Sequence, residues 1–259
     1  MTLPALVAIS HGTSSEAGRA AVRALADAVE SRLDHEYGMY AEAFDADEAP
    51  AGADAPHAPA EPDVPLFRLG HVDVEQPDVA SALISLPGAV PATVVPLLLS
   101  AGYHVHVDLT KAVRRHTERE VRLAAALGPD PRLIDVLVRR LHQAGLEASD
   151  RVILGAAGSS DWRAVDDCLE TGRALQAALG REVVVGFLSA AEPRLEKAVA
   201  TARGRGGRVV VSSYLLAPGY FQDLAEASGA DVVTEPLTTP TDTPTELVDV
   251  VLDRYRHVG

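Results

Sequence analysis

Short runs of consecutive apolar residues alternate along this chain with longer stretches in which apolar positions recur at helical spacing. The runs are ALVAIS (5–10), LFRLGHVDV (66–74), VVPLLL (94–99), RVILGA (151–156), EVVVGF (182–187) and RVVVSSYLL (208–216), and residues 16–33 carry the first helical pattern. A strand that is apolar on both faces is buried on both, and alternation with helices supplies the cover. The pattern therefore predicts α/β architecture with doubly wound parallel sheets.

The runs also repeat. VAISHGTSS (7–15) aligns with ILGAAGSSD (153–161), GHVDVEQPDV (70–79) with GFLSAAEPRL (186–195), and VVPLLLSAGYH (94–104) with VSSYLLAPGYF (211–221). The spacing between copies is 146 in the first pairing and 116–117 in the others, so some 30 extra residues lie between His11 and Gly70. A duplication into halves at about 1–143 and 144–259 follows.

The extra residues coincide with a change in composition. Residues 41–65 hold seven acidic side chains, five prolines and no Lys or Arg. Such a segment buries too little surface to offset its ordering entropy, and we read it as a mobile surface loop, a solvated spacer, with metal delivery by His57 as the alternative. It carries half of the net charge of −14. That acidity and an aromatic content of 4% argue against nucleic acid, which needs a basic face and stacking rings. The single cysteine, Cys168, excludes an intrachain disulfide and a thiolate cluster and points to a reducing cytoplasm. The start, MTLPALVAISHGT, reads as neither a secretory leader nor a membrane span.

Duplication makes each half a control for the other. His11 pairs with Ala157, His104 with Phe221, and Asp73 with Ser189. His11 directly follows a strand, where open α/β sheets place their ligands, and Gly12, Thr13 and Ser14 open the next helix. His104 follows another buried strand through the turn Ser100–Tyr103. Taken singly, each residue has a structural explanation: a hydrogen-bonded histidine, a helix cap, a turn glycine at Gly102. Together, two imidazoles and a carboxylate kept in one half suit a divalent ion that must leave again.

These residues resemble the class II tetrapyrrole chelatases, the sirohydrochlorin chelatase family, which includes siroheme ferrochelatases and cobaltochelatases. The matching pieces are HGT (11–13), HVDVEQPDV (71–79) and VPLLLSAGYHVHVDL (95–109), the last with Pro96, Gly102, His104 and Asp108 in the family's spacing. The resemblance implies a flavodoxin-like topology in each half, with the halves facing a shared cleft. It implies His11 and His104 as metal ligands and Asp73, one methylene shorter than the usual Glu, as the family acid. The substrate-contacting set becomes Gly12, Thr13, Ser14, Asp73, Gln76, Leu99, Ser100, Ala101, Gly102 and Tyr103. The implied reaction is insertion of Fe2+ or Co2+, as co-substrate and without an organic cofactor, into sirohydrochlorin, with iron favoured. A cobaltochelatase and a non-catalytic metal or tetrapyrrole carrier stay open as alternatives. The substrate's carboxylates call for local donors: backbone N–H groups at 12–14, and Arg19, Lys111, Arg114 or Arg115. A histidine phosphatase would need arginine beside the histidine, where this chain has Ser10. The duplicated chain is expected to be a monomer.

Overall fold

The computed structural model describes residues 3–47, 64–88, 90–100, 102, 109–115 and 119–258. In chain order the first half contains β1 (Ala5–Ser10), α1 (Glu16–Asp47), β2 (Phe67–His71), α2 (Val79–Ile84), β3 (Ala92–Pro96), α3 (Thr110–Arg115) and β4 (Val121–Leu123). Helix α4 (Pro131–Gln143) leads to the second: β5 (Arg151–Ala156), α5 (Trp162–Leu179), β6 (Val183–Phe187), α6 (Leu195–Arg203), β7 (Val209–Tyr214), α7 (Tyr220–Glu226), β8 (Val232–Val233) and α8 (Thr245–Arg256). Two four-stranded sheets result, ordered β2-β1-β3-β4 and β6-β5-β7-β8. All their pairings are parallel.

The registers reproduce the spacing read from sequence. Val7 lies beside Arg68 and Val94, and Ile153 beside Val184 and Val211. The long stretch between copies resolves partly into helix: α1 has 32 residues against 18 in α5. This corrects the loop expected at 41–65, whose first seven residues continue α1; alanine and glutamate there are good helix formers, and no proline intervenes before Pro50. Residues 48–63, including His57, lie outside the described set. The expected strands at 66–74 and 94–99 also end early, at His71 and Pro96, because the chain turns away to build loops.

Strand faces alternate between two environments. Leu6 and Ala8 of β1 face a core that also holds Val152, Leu154 and Ala156 of β5, whereas Val7 and Ile9 pack outward under Leu83, and Ile153 under Leu195. The shared core is filled by Leu25 of α1, Leu137 of α4, Leu175 of α5 and Val251 of α8. Helix α4 packs on β7 of the second sheet, and α8 packs on β3 of the first. Arg254 of α8 donates to the Ala126 and Leu127 carbonyls, 2.9 and 3.0 Å. The two similar halves thus pack together through exchanged helices. Among the described residues no helix is long and apolar enough to cross a membrane.

Candidate functional site

In each sheet the middle pair, β1/β3 and β5/β7, is where strand order reverses, so a crevice opens at their carboxyl ends. The loop leaving β1 is fixed by backbone contacts. Gly12 has φ +91°, and a Cβ there would lie 1.9 Å from the Asp73 carbonyl oxygen, so only glycine fits. Asp73 N–H donates to the His11 carbonyl, 3.0 Å, and Val72 N–H to Ser10, 2.9 Å. The second half repeats this: Gly158 has φ +87°, a Cβ would lie 2.0 Å from the Ser189 carbonyl, and Ser189 N–H donates to Ala157, 2.8 Å. One backbone device thus carries an imidazole in one half and a methyl group in the other.

The first half adds polar groups that the second lacks. Ser10 Oγ lies 2.7 Å from His71 Nδ1 and accepts from Gly12 N–H, 3.2 Å. Glu75 Oε1 accepts from Thr13 N–H, 2.8 Å, and lies 3.9 Å from His71 Nδ1. Ser10 and His71 are buried. Burial holds the His71 pKa below its ordinary 6.5 against the opposing charge of Glu75, and Arg23 adds to the lowering, so the ring is held neutral near pH 7. The counterparts of Ser10, His71 and Glu75 are Ala156, Phe187 and Ala191. The sequence reading missed His71 and Glu75, although the pairing that singled out Asp73 contained both contrasts.

Between the halves lies a cleft of about 520 Å³. Ser10 to Ser14, Val74, Leu97 to Ser100 and Gly102 line it on the first half's side; Ala156 to Ser159 and Tyr214 to Phe221 line it on the other. His11 is exposed at its edge, with Nδ1 3.4 Å from the Gly12 carbonyl. Tyr214 OH donates across the interface to the Leu99 carbonyl, 3.0 Å, which fixes the turn above β3. Cys168 also lines the cleft, but burial pushes its thiol up to about 12, so it is a neutral wall rather than a thiolate ligand.

The structure brings His11, Gly12, Thr13, Ser14, Leu99, Ser100 and Gly102 together in this cleft. Asp73 and Gln76 are exposed on the neighbouring loop, outside the cleft lining; Asp73 Oδ1 accepts from Val74 N–H, 2.8 Å, and Gln76 Oε1 from Asp78 N–H, 3.1 Å. His104, Ala101 and Tyr103 lie outside the described residues. Among the described residues no group of three or more His, Cys, Asp or Glu side chains is placed to hold a metal ion. Of the expected cationic donors, Arg19 is engaged with the carbonyls of Ser14 and Thr13, 3.0 and 3.4 Å, while Lys111 and Arg114 are exposed on α3.

Comparison with known proteins bears on this arrangement. The CbiX family pattern matches twice, at residues 57–144 and 151–257. A sirohydrochlorin ferrochelatase of Priestia megaterium is 28% identical over 171 residues, 62% of this chain and 64% of that protein, so the match spans less than two thirds of the relative's length. A sirohydrochlorin cobaltochelatase of Sulfolobus acidocaldarius is 29% identical over 83 residues, 31% of this chain and 68% of that one. SirB from Bacillus subtilis, solved with Fe3+, superposes with a TM-score of 0.67 at 18% identity, covering 98% of this chain and 94% of its own. The fold is thus that of SirB, and with both copies of the pattern in one chain, this protein belongs to the CbiX family.

Proposed function

We propose that this protein inserts a divalent metal ion into sirohydrochlorin, with ferrous iron as the metal and siroheme as the product. The observation that carries the proposal is the cleft itself. An imidazole stands at its edge on a backbone-locked loop, and the opposing wall comes from a half whose equivalent loop holds alanine. The ferrochelatase match supports iron over cobalt, because it extends over more of the chain than the cobaltochelatase match.

The chemistry required is the exchange of protein ligands for ring nitrogens together with loss of two pyrrole protons. A His11 Nδ1–H donated toward Gly12 leaves the Nε2 lone pair as the metal-binding atom. Two imidazoles, His11 and His104, would make a weak and open ligand set from which the ion departs readily. Asp73, exposed beside this loop, or an imidazole freed as the ion departs takes up one pyrrole proton, and solvent at the open cleft edge takes the other. Glu75, engaged with Thr13 N–H, supports the loop. Of the N–H groups at 12–14 expected to meet substrate carboxylates, those of Gly12 and Thr13 are instead engaged by Ser10 Oγ and the Glu75 carboxylate, which leaves that role to Ser14 N–H. The apolar wall at 214–221 receives the ring and excludes water.

The test is multiple turnover in the absence of oxygen, with protein substoichiometric to sirohydrochlorin and Fe2+ or Co2+ at controlled free concentration. The free-base absorption is expected to disappear over many equivalents, faster with iron. His11→Ala and His104→Ala are each expected to lower the rate at least 100-fold while the fold persists. Faster turnover with cobalt would make the enzyme a cobaltochelatase, and a single stoichiometric change would make it a carrier.

A further inference from the structure

Five large apolar side chains are exposed among the described residues: Val74, Ile84, Trp162, Leu169 and Tyr220. Two of them, Val74 at 61% and Tyr220 at 69%, line the same cleft from opposite halves. Isolated apolar residues on a surface need no explanation, but a pair lining one cavity from different halves does.

Local structure sharpens the case. Val74 has φ +67°, a left-handed conformation that β-branched residues strongly disfavour. Donation from Val74 N–H to Asp73 Oδ1 and from Glu75 N–H to the Asp73 carbonyl, 2.8 and 2.7 Å, holds it there. The second half makes the same turn with Ala190 at φ +53°. Turn geometry therefore does not call for a valine, and the larger apolar group is present despite the backbone strain it brings.

Tyr220 opens α7, its ring tilted at 55° against Phe221 with centroids 5.7 Å apart. The turn before it is seated on the other half. A Cβ at Gly219 would lie 3.3 Å from Thr13 Oγ1, and one at Gly18 would lie 2.4 Å from the Pro218 carbonyl. The position of Tyr220 is thus referenced to the His11 loop by close contact between halves.

We infer that Val74 and Tyr220 are paired apolar jaws that grip the substrate's flat conjugated ring and orient it toward His11. The second half, which carries no counterpart of the imidazoles, then serves as a substrate-binding wall. This inference rests on the proposed tetrapyrrole substrate. An aromatic ring stacks on a π-face whatever the rim substituents, and a branched aliphatic group covers the opposite side.

The test is equilibrium binding of metal-free sirohydrochlorin, followed by quenching of its fluorescence, together with steady-state kinetics. Tyr220→Ala is expected to weaken binding about tenfold, and Tyr220→Phe, which keeps the ring, to restore it to within about twofold of wild type. Val74→Asn suits the left-handed conformation better, so it is expected to weaken binding while leaving the thermal midpoint unchanged or higher. In these variants KM for the tetrapyrrole should rise and KM for the metal should not. Wild-type affinity in both Tyr220→Ala and Val74→Asn, with wild-type protein binding and turning over, would overturn the jaws alone. A wild-type protein that does not bind sirohydrochlorin would overturn the functional proposal and the jaws with it.

Discussion

At His71 a ring nitrogen sits in the core where its repeat partner, Phe187, is wholly apolar. The Ser10 hydroxyl partners that nitrogen, and burial keeps the ring uncharged. Above about pH 6.5 the ring is neutral in both folded and unfolded chains; below it the unfolded chain takes up a proton that the folded one resists, so stability falls with pH. The double variant Ser10→Ala, His71→Phe copies Ala156 and Phe187 and removes this contribution. It is expected to lose less stability than wild type between pH 7.5 and 5.5, measured as the shift in urea midpoint. Equal shifts would mean that His71 does not titrate differently in the two states. His11 was legible from sequence because it ends a strand and precedes glycine. His71 was not, because a histidine inside an apolar run looks the same whether it faces core or solvent.

The elements that sequence missed are the weakest ones. Strands β4 and β8, with three and two residues, hold the edges of their sheets, and runs so short leave no periodicity to detect. Helix α4 illustrates how an element is tied down once formed. Asp130 caps it, and Arg140, only 4% exposed, donates to the Pro236 and Leu237 carbonyls, both at 3.0 Å, and to Asp242. Arg140→Leu keeps the apolar stem but leaves both carbonyls without this donor. A loss of about 2–4 kcal/mol in urea unfolding is expected, with little change in the cleft, which Arg140 does not line. In the sequence Arg140 is one of two adjacent arginines; in the structure Arg139 pairs with Glu246 of α8 while Arg140 enters the packed loop at 236–242.

Across the molecule, exchange of α4 and α8 makes one core out of two sheets. Leu6 and Leu154 belong to the same cluster, and Tyr255 near the end of α8 donates to the Pro4 carbonyl ahead of β1. We therefore expect one cooperative transition in calorimetry, with equal calorimetric and van't Hoff enthalpies. A chain ending at residue 244 should lose the structure of both halves, since removing α8 uncovers the face of β3 as well. Two separated transitions, or a truncated chain with a native-like first half, would show that the halves fold alone. On the single-transition expectation the unit of stability is the whole chain rather than either repeat.

The six longer strands, the duplication and the asymmetry of the two copies were legible in the chain alone, because each is a matter of order and period along it. The apolar runs could not be read otherwise, and positions 11 and 157 could be compared without knowing where either lies. The company each residue keeps was decided by tertiary packing. His71 meets Ser10 across two strands, Tyr220 is set against the His11 loop by contact between halves, and α1 runs on into a segment whose composition suggested a loop. These are relations between residues far apart in sequence, and long-range contact, unlike periodicity, leaves no local mark on a single chain.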